Sequence, residues 1–211
     1  MGREAVVVGK SLISILIFAI LSINVLAPTS HVSGFAQETK VFVEPRNSIY
    51  YSGEKSTGDT FRVNVTVANA TGMVGMQFEL HWDPGLLNCT SLTESLFHAV
   101  TPQSEWDNIF EWMLIDNTDG YAFYGCLWID YPRAETGGYA PVNITATTYV
   151  EGKVTAAVLE FEILRVPTGA EEYLSCSLGL ALTIIVDQDV KSIPLTAEDG
   201  YYKLARTLVN A

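Results

Sequence analysis

The chain is poor in the residues that carry chemistry. Its 211 residues include only three histidines and three cysteines. No G-x-S-x-G, no H-E-x-x-H and no paired Cys–His pattern occurs, so the common nucleophile and zinc-hydrolase arrangements are excluded. No C-x-x-C occurs either, which removes zinc-ribbon and redox readings. Acidic residues are abundant, but Glu79 and Glu111 fall on strand-like segments. Carboxylates there are more often solvated than paired for acid–base work. No catalytic residue, metal site or cofactor is therefore expected, and the chain reads as a non-enzyme. Basic residues are also scarce, with 12 Lys and Arg against 24 Asp and Glu and a net charge of −12. Phosphates would be repelled by such a surface, so nucleic acid is not the expected partner. Internal repeats and low-complexity tracts are missing as well.

One long apolar run exists, from Leu12 to Ala27, after Arg3 and Lys10 and before the small residues around Gly34-Phe35-Ala36. A basic start, an apolar stretch and a small-residue exit are the parts of a secretory signal. The run is shorter than the roughly 20 residues of a membrane-spanning helix. Residues 1–36 are therefore expected to be a cleaved signal peptide, with an uncleaved anchor as the alternative. Residues 37–211 are expected to form one domain, secreted or displayed at the cell surface, with no membrane span of its own. Four N-x-S/T sequons follow, at Asn64, Asn69, Asn88 and Asn143, and fit a glycosylated exported protein. Export permits disulfides, yet Cys89, Cys126 and Cys176 each lie in a strand-like segment. The reading preferred is small buried hydrophobes; one bridge plus one free thiol is the alternative.

Period-two alternation dominates what remains, which is the strand signature. Lys40 to Val43 reads as a first strand. Asn47 to Asp59, rich in Ser, Gly and Tyr, reads as loop. Phe61, Val63, Val65 and Val67 alternate with polar residues, which leaves Asn64 facing water. Met76, Phe78, Leu80 and Trp82 then form an apolar set, opposite an open face of Gly75, Gln77, Glu79 and His81. Leu86 to Leu92 is a fourth strand. Ile109–Asp116 and Tyr121–Ile129 form a hairpin about Asn117-Thr118-Asp119-Gly120, where Asp-Gly is a strong turn signal. The second arm is apolar on both faces. Phe123, Leu127 and Ile129 either make a sticky patch or are covered by the long segment Asp130–Gly152. Lys153–Leu164, with Val154, Ala156, Val158 and Phe161 expected inside, Tyr173–Val186 and Tyr201–Leu204 complete nine strands. Many short strands with regular turns imply an all-β sandwich or barrel.

The order of these segments resembles a cohesin domain, the module that receives dockerins. The carriers are VFVEP, TFRVNVTVAN, GMVGMQFELHWDPGLLNCTSL, DNTDGYAFYGCLWID, VTAAVLEFEIL and VDQDVKSIPLTAEDGYYKL, which span Val41 to Leu204. The resemblance implies a nine-stranded jelly-roll sandwich and a protein partner, a dockerin-like module that folds around calcium, bound on one sheet face. On this chain the partner-binding residues it implies are Gly75, Gln77, Leu127 and Asp130, and the residue pattern of the same face adds Phe123 and Glu79. Gly75 and Gln77 stand where family members often carry Asn and Asp, so the polar half of the platform has diverged while Leu127 and Asp130 match. An apolar centre with a polar rim is also how protein interfaces are commonly built.

Two other functions fit the composition. A carbohydrate-binding module, with polysaccharide as partner, would use Trp106, Trp112, Tyr131 and Tyr139, although such rings commonly plug sandwich ends. A structural cell-surface protein is the third reading. Asp187 and Asp189 flank a turn, but two carboxylates fall short of the six to eight oxygens that calcium takes.

Overall fold

The computed structural model describes residues 38–97, 109–128 and 152–207. The expected signal segment, Ile129, Asp130, Asn143, Trp106, Tyr131 and Tyr139 lie outside them. Two sheets face each other. The first has five strands in the order β10-β1-β3-β8-β5, and the second has six in the order β2-β11-β9-β4-β7-β6. Their ranges are β1 Lys40–Glu44, β2 Asn47–Tyr51, β3 Thr60–Ala68, β4 Met73–His81, β5 Leu87–Glu94, β6 Ile109–Asp116, β7 Tyr121–Trp128, β8 Lys153–Ile163, β9 Tyr173–Asp187, β10 Thr196–Glu198 and β11 Gly200–Ala205.

The alternation read from the sequence places the core in β3 and β4. Phe61, Val63, Val65 and Val67 of β3 face Met76, Phe78 and Leu80 of β4, and all are buried. Aromatic rings bridge the layers: Phe61 stacks on Tyr202 at 5.1 Å, and Trp82 meets Phe161 edge-on at 5.0 Å. Such pairs add specific geometry to the area they bury. The Trp82 indole N–H reaches the Leu87 carbonyl at 3.1 Å, so its polar end is satisfied inside.

Eleven strands form among the described residues, where nine were expected. The nine are present, and β2 and β10 are additional. Asn47–Tyr51, expected to be loop, is an edge strand paired in parallel with β11. Its Ser48 and Tyr50 face inward while Ile49 and Tyr51 face out. Its strand formers Ile49, Tyr50 and Tyr51 were concealed by the Ser-, Gly- and Thr-rich stretch that follows them. Val158 is a second correction. A register shift in β3 opposite β8, between Val65 and Thr66, skips Ala156 and changes the phase of β8. Ala156 and Ala157 are both buried, then Leu159, Phe161 and Ile163, and Val158 turns outward beside Asn64.

Two turn motifs interlock at one end. The Trp82 amide donates to the Gly120 carbonyl at 2.8 Å. Gly120 has φ of 71°, and a Cβ there would lie 2.5 Å from the Trp82 carbonyl oxygen. Only glycine fits. The Asn117 side chain accepts from the Cys89 amide at 2.7 Å and donates to the Cys89 carbonyl at 3.0 Å. It thereby ties the β6–β7 hairpin to β5 of the opposite sheet.

Candidate functional site

The outer face of β9-β4-β7-β6 collects the residues singled out from the sequence. Gly75, Gln77, Glu79 and His81 point outward from β4. The register sets Leu127, Gly125, Phe123 and Tyr121 of β7 beside them in turn. On the far side of β7 come Phe110, Trp112, Leu114 and Asp116 of edge strand β6. On the other flank of β4 lie Val186, Ile184 and Ala181 of β9.

Glycines let the large side chains lie flat on this surface. A Cβ at Gly75 would come within 2.9 Å of Leu127 Cδ1 and 3.2 Å of Val186 Cγ2. Leu127 and Val186 therefore close over Gly75, and a longer side chain there would displace them. The Phe123 ring lies likewise over Gly125, with its Cε1 at 3.1 Å from a would-be Cβ, and meets Trp112 edge-on at 5.5 Å. Phe110 and Leu114 stand 48% and 46% exposed at the sheet edge, and Leu182 projects from a bulge in β9 at 44%. The result is an apolar floor with accessible apolar edges.

Gln77 departs from expectation. It is only 5% exposed, and its amide donates weakly to the Leu182 carbonyl at 3.4 Å. The expected open polar face is thus closed at its middle, because the β9 bulge brings Leu182 across it. Polar groups are gathered instead at one corner. His81 and Glu79 meet at 2.9 Å, and His81 stacks on Tyr121 at 5.7 Å. Desolvation first, then the charges of Asp116, Glu79 and Asp119, hold the Tyr121 phenol above its ordinary pKa. The corner is therefore acidic and suits a cationic group on a partner.

Sequence reasoning did not assign Phe110, Leu114 or Leu182 to the site. The first two were accessible to it: counting back from the Asp116–Tyr121 closure of the hairpin pairs Phe110 with Leu127 and Leu114 with Phe123. Leu182 was not, because it depends on the bulge. Trp112 sits within β6, the first arm of the expected hairpin.

Elsewhere the polar groups are structural. Asp187 caps its turn by accepting from the amides of Asp189 and Lys191, both at 2.9 Å, and Lys191 pairs with Asp189 at 3.1 Å. Among the described residues no group of three or more His, Cys, Asp and Glu is placed to hold a metal ion. All three cysteines are free thiols, with Cys89 and Cys126 buried and Cys176 partly so. Burial pushes the Cys89 thiol up to about 12 and raises the other two, so none is a ready thiolate.

The expected sequons at Asn64 and Asn88 point outward from β3 and β5 on the opposite, five-stranded sheet. Asn69 sits at the turn after β3, with φ of 56°.

No protein-family profile matches the chain, and no curated protein matches it in sequence. Solved structures do match its fold. A type I cohesin–dockerin complex from Clostridium thermocellum aligns at TM-score 0.56 and 14% identity, covering 84% of this chain and 100% of that one. A non-cellulosomal cohesin from the hyperthermophilic archaeon Archaeoglobus fulgidus aligns at 0.51 and 14%, covering 80% and 91%. The second type II cohesin module of an adaptor scaffoldin from Acetivibrio cellulolyticus aligns at 0.53 and 10%, covering 86% and 95%. The chain has the cohesin fold.

Proposed function

We propose, with the cohesin fold as premise, that residues 37–211 are a divergent cohesin-type docking domain. It is exported by way of residues 1–36 and works without catalysis, in the extracellular space or at the cell surface. Its partner is a dockerin-like module seated on the outer face of β9-β4-β7-β6. The observation that carries this reading is the surface itself: Leu127 and Phe123 at the centre, accessible Phe110 and Leu114 at the edge, and an acidic corner at Glu79 and Asp116. The C. thermocellum neighbour was solved in complex with a dockerin, which supports the partner class. The archaeal neighbour is a non-cellulosomal cohesin, so the fold is not tied to one assembly.

Specificity follows from what has changed on the face. Gly75 offers no side chain and Gln77 is buried, so the contacts they were expected to supply pass to Leu127, which closes over Gly75. Glu79, His81 and Asp116 remain to orient the partner, with Asp130 as the further acidic contact that the resemblance implies. The partner is expected to present an apolar helix face flanked by Lys or Arg. Glycans on Asn64 and Asn88 would decorate the other sheet and leave this one clear.

Calorimetric titration of the purified chain with calcium-loaded dockerin modules tests the reading. Binding that is lost in Leu127→Asp, retained in Arg62→Glu on the opposite sheet and abolished by EDTA is the expected result. Binding indifferent to Leu127→Asp would remove this face from consideration.

A further inference from the structure

The opposite end of the six-stranded sheet carries a second, chemically different surface. There β2, β11 and the first half of β9 run side by side, far from the β7–β6 edge. Their outward positions include Ile49 and Tyr51 of β2, Tyr201 and Lys203 of β11, and Tyr173 of β9. Tyr173, Tyr51 and Tyr201 are 50%, 49% and 36% exposed, and Ile49 is 49% exposed. Two serines and an alanine make up most of the remainder, and no outward position on these three strand segments is a carboxylate. For a chain of net charge −12 such a surface is conspicuous.

Register fixes the spacing. Tyr51 and Tyr173 both pair with Ala205, one from each side. Their rings therefore rise two strand spacings apart, about 9.5 Å, over a floor kept low by alanine. Tyr201 continues the row along β11. Lys203 lies over the Tyr173 ring at 4.3 Å, a cation–π contact that steadies the ring and leaves an ammonium beside it. The backbone beneath is tied down. Tyr51 O accepts from the amides of Glu54 and Lys55, Ser52 N donates to Ala205 O, and Arg206 N donates to Glu172 O. Such a platform loses little freedom on binding.

The chemistry selects the occupant. Three outward positions on each of three strands fall well short of the 20–30 residues a side of a stable protein interface, so a second copy or a folded partner is poorly served. One lysine on an acidic protein does not hold nucleic acid. Exposed rings carrying hydroxyls, serine donors and outward positions without carboxylates match a pyranose, which is apolar C–H on its face and hydroxyl at its rim. We propose that Tyr51, Tyr173 and Tyr201, with Lys203, form a stacking platform for an uncharged polysaccharide, independent of the protein-docking face. The domain then holds two ligands at once, a glycan chain at one end of the sheet and a protein at the other.

Depletion of the purified chain on microcrystalline cellulose, chitin and insoluble mannan, with affinity electrophoresis in soluble mixed-linkage glucan, tests this. Retention on at least one of these is expected. It should fall about five-fold or more in each of Tyr51→Ala and Tyr173→Ala, survive in Tyr173→Phe and be unchanged in Leu127→Asp. Tyr51 and Tyr173 are exposed and Leu127 is partly so, and circular dichroism with thermal melting checks that the variants fold. No retention on any of the polymers would overturn the proposal, as would retention indifferent to both alanine variants. Sedimentation that shows self-association abolished by Tyr51→Ala would also overturn it and reassign the surface to a second copy.

Discussion

On the five-stranded sheet the outward positions are charged and paired with one another. Arg62 meets Glu160 at 3.1 Å, Lys153 meets Glu44 at 3.0 Å, and Glu198 joins both Lys40 and Arg46. On the six-stranded sheet the same alternation delivers Ile49, Tyr51, Phe110, Leu114, Tyr173 and Tyr201 to solvent, six of the nine large hydrophobics that remain exposed among the described residues. Both sheets seal one core, so stability does not distinguish them. What differs is the chemistry of the outer residues, ion-paired on one sheet and largely apolar or aromatic on the other. Ion pairs at exposed sites contribute little to stability.

The largest effect expected comes from breaking the interlocked turns at the ends of β4 and β7. Gly120→Ala forces a residue with a Cβ into a left-handed conformation and drives it against the Trp82 carbonyl. A loss of about 3 kcal/mol of stability is expected by denaturant titration, from backbone strain and overpacking together. A melt within error of the unmodified chain would show that the interlock is not needed. Next is Leu127→Asp, which puts a charge at the centre of the proposed docking face. A hundredfold weaker partner complex, about 2.7 kcal/mol, is expected, with the melting temperature little changed because Leu127 is only partly buried. Arg62→Glu, the matching insult on the other sheet, should leave that affinity unaltered.

Between the sheets, the hydroxyls of Tyr124 and Tyr202 are buried with no hydrogen-bond partner among the described residues. Burial holds both phenols far above their ordinary pKa. Tyr124→Phe removes a desolvated hydroxyl without opening a cavity. It is expected to be neutral or to stabilise by about 1 kcal/mol in chemical denaturation; a clear destabilisation would reveal a partner for that oxygen. The smallest effect belongs to the paired surface. The Lys40 hydrogen bond and charge hold Glu198 below its ordinary value of 4.5. Its contribution is therefore present above that value and lost as the pH falls through the lowered one. The difference in melting temperature between Glu198→Gln and the unmodified chain should be small near neutrality and vanish toward pH 3.

Much of this contrast was legible before any coordinates. Alternation in Phe61–Val67, the apolar set Met76, Phe78, Leu80 and Trp82, and the Asp-Gly hairpin specified the core and the docking strands, because a half-buried strand must repeat every two residues. The closed burial of Gln77 was not legible. It arises where β9 bulges at Leu182, and a bulge leaves no period in the neighbouring strand's sequence. The phase change at Ala156 escaped for the same reason. The tyrosine platform was hidden behind β2, a strand recognisable only from its partner β11, more than a hundred residues away. Pairing at that distance is a property of topology, and local composition carries no trace of it.

The parallel ladders β1–β10 and β2–β11 have a temporal meaning. Strands β1 and β2 await partners made more than a hundred residues later, and Ser52 and Gly53 close onto Ala205 and Thr207. A nascent chain with such distant pairings cannot close the sandwich before β10 and β11 are available. For a chain exported as proposed above, that delay would keep the sandwich open until β11 has emerged.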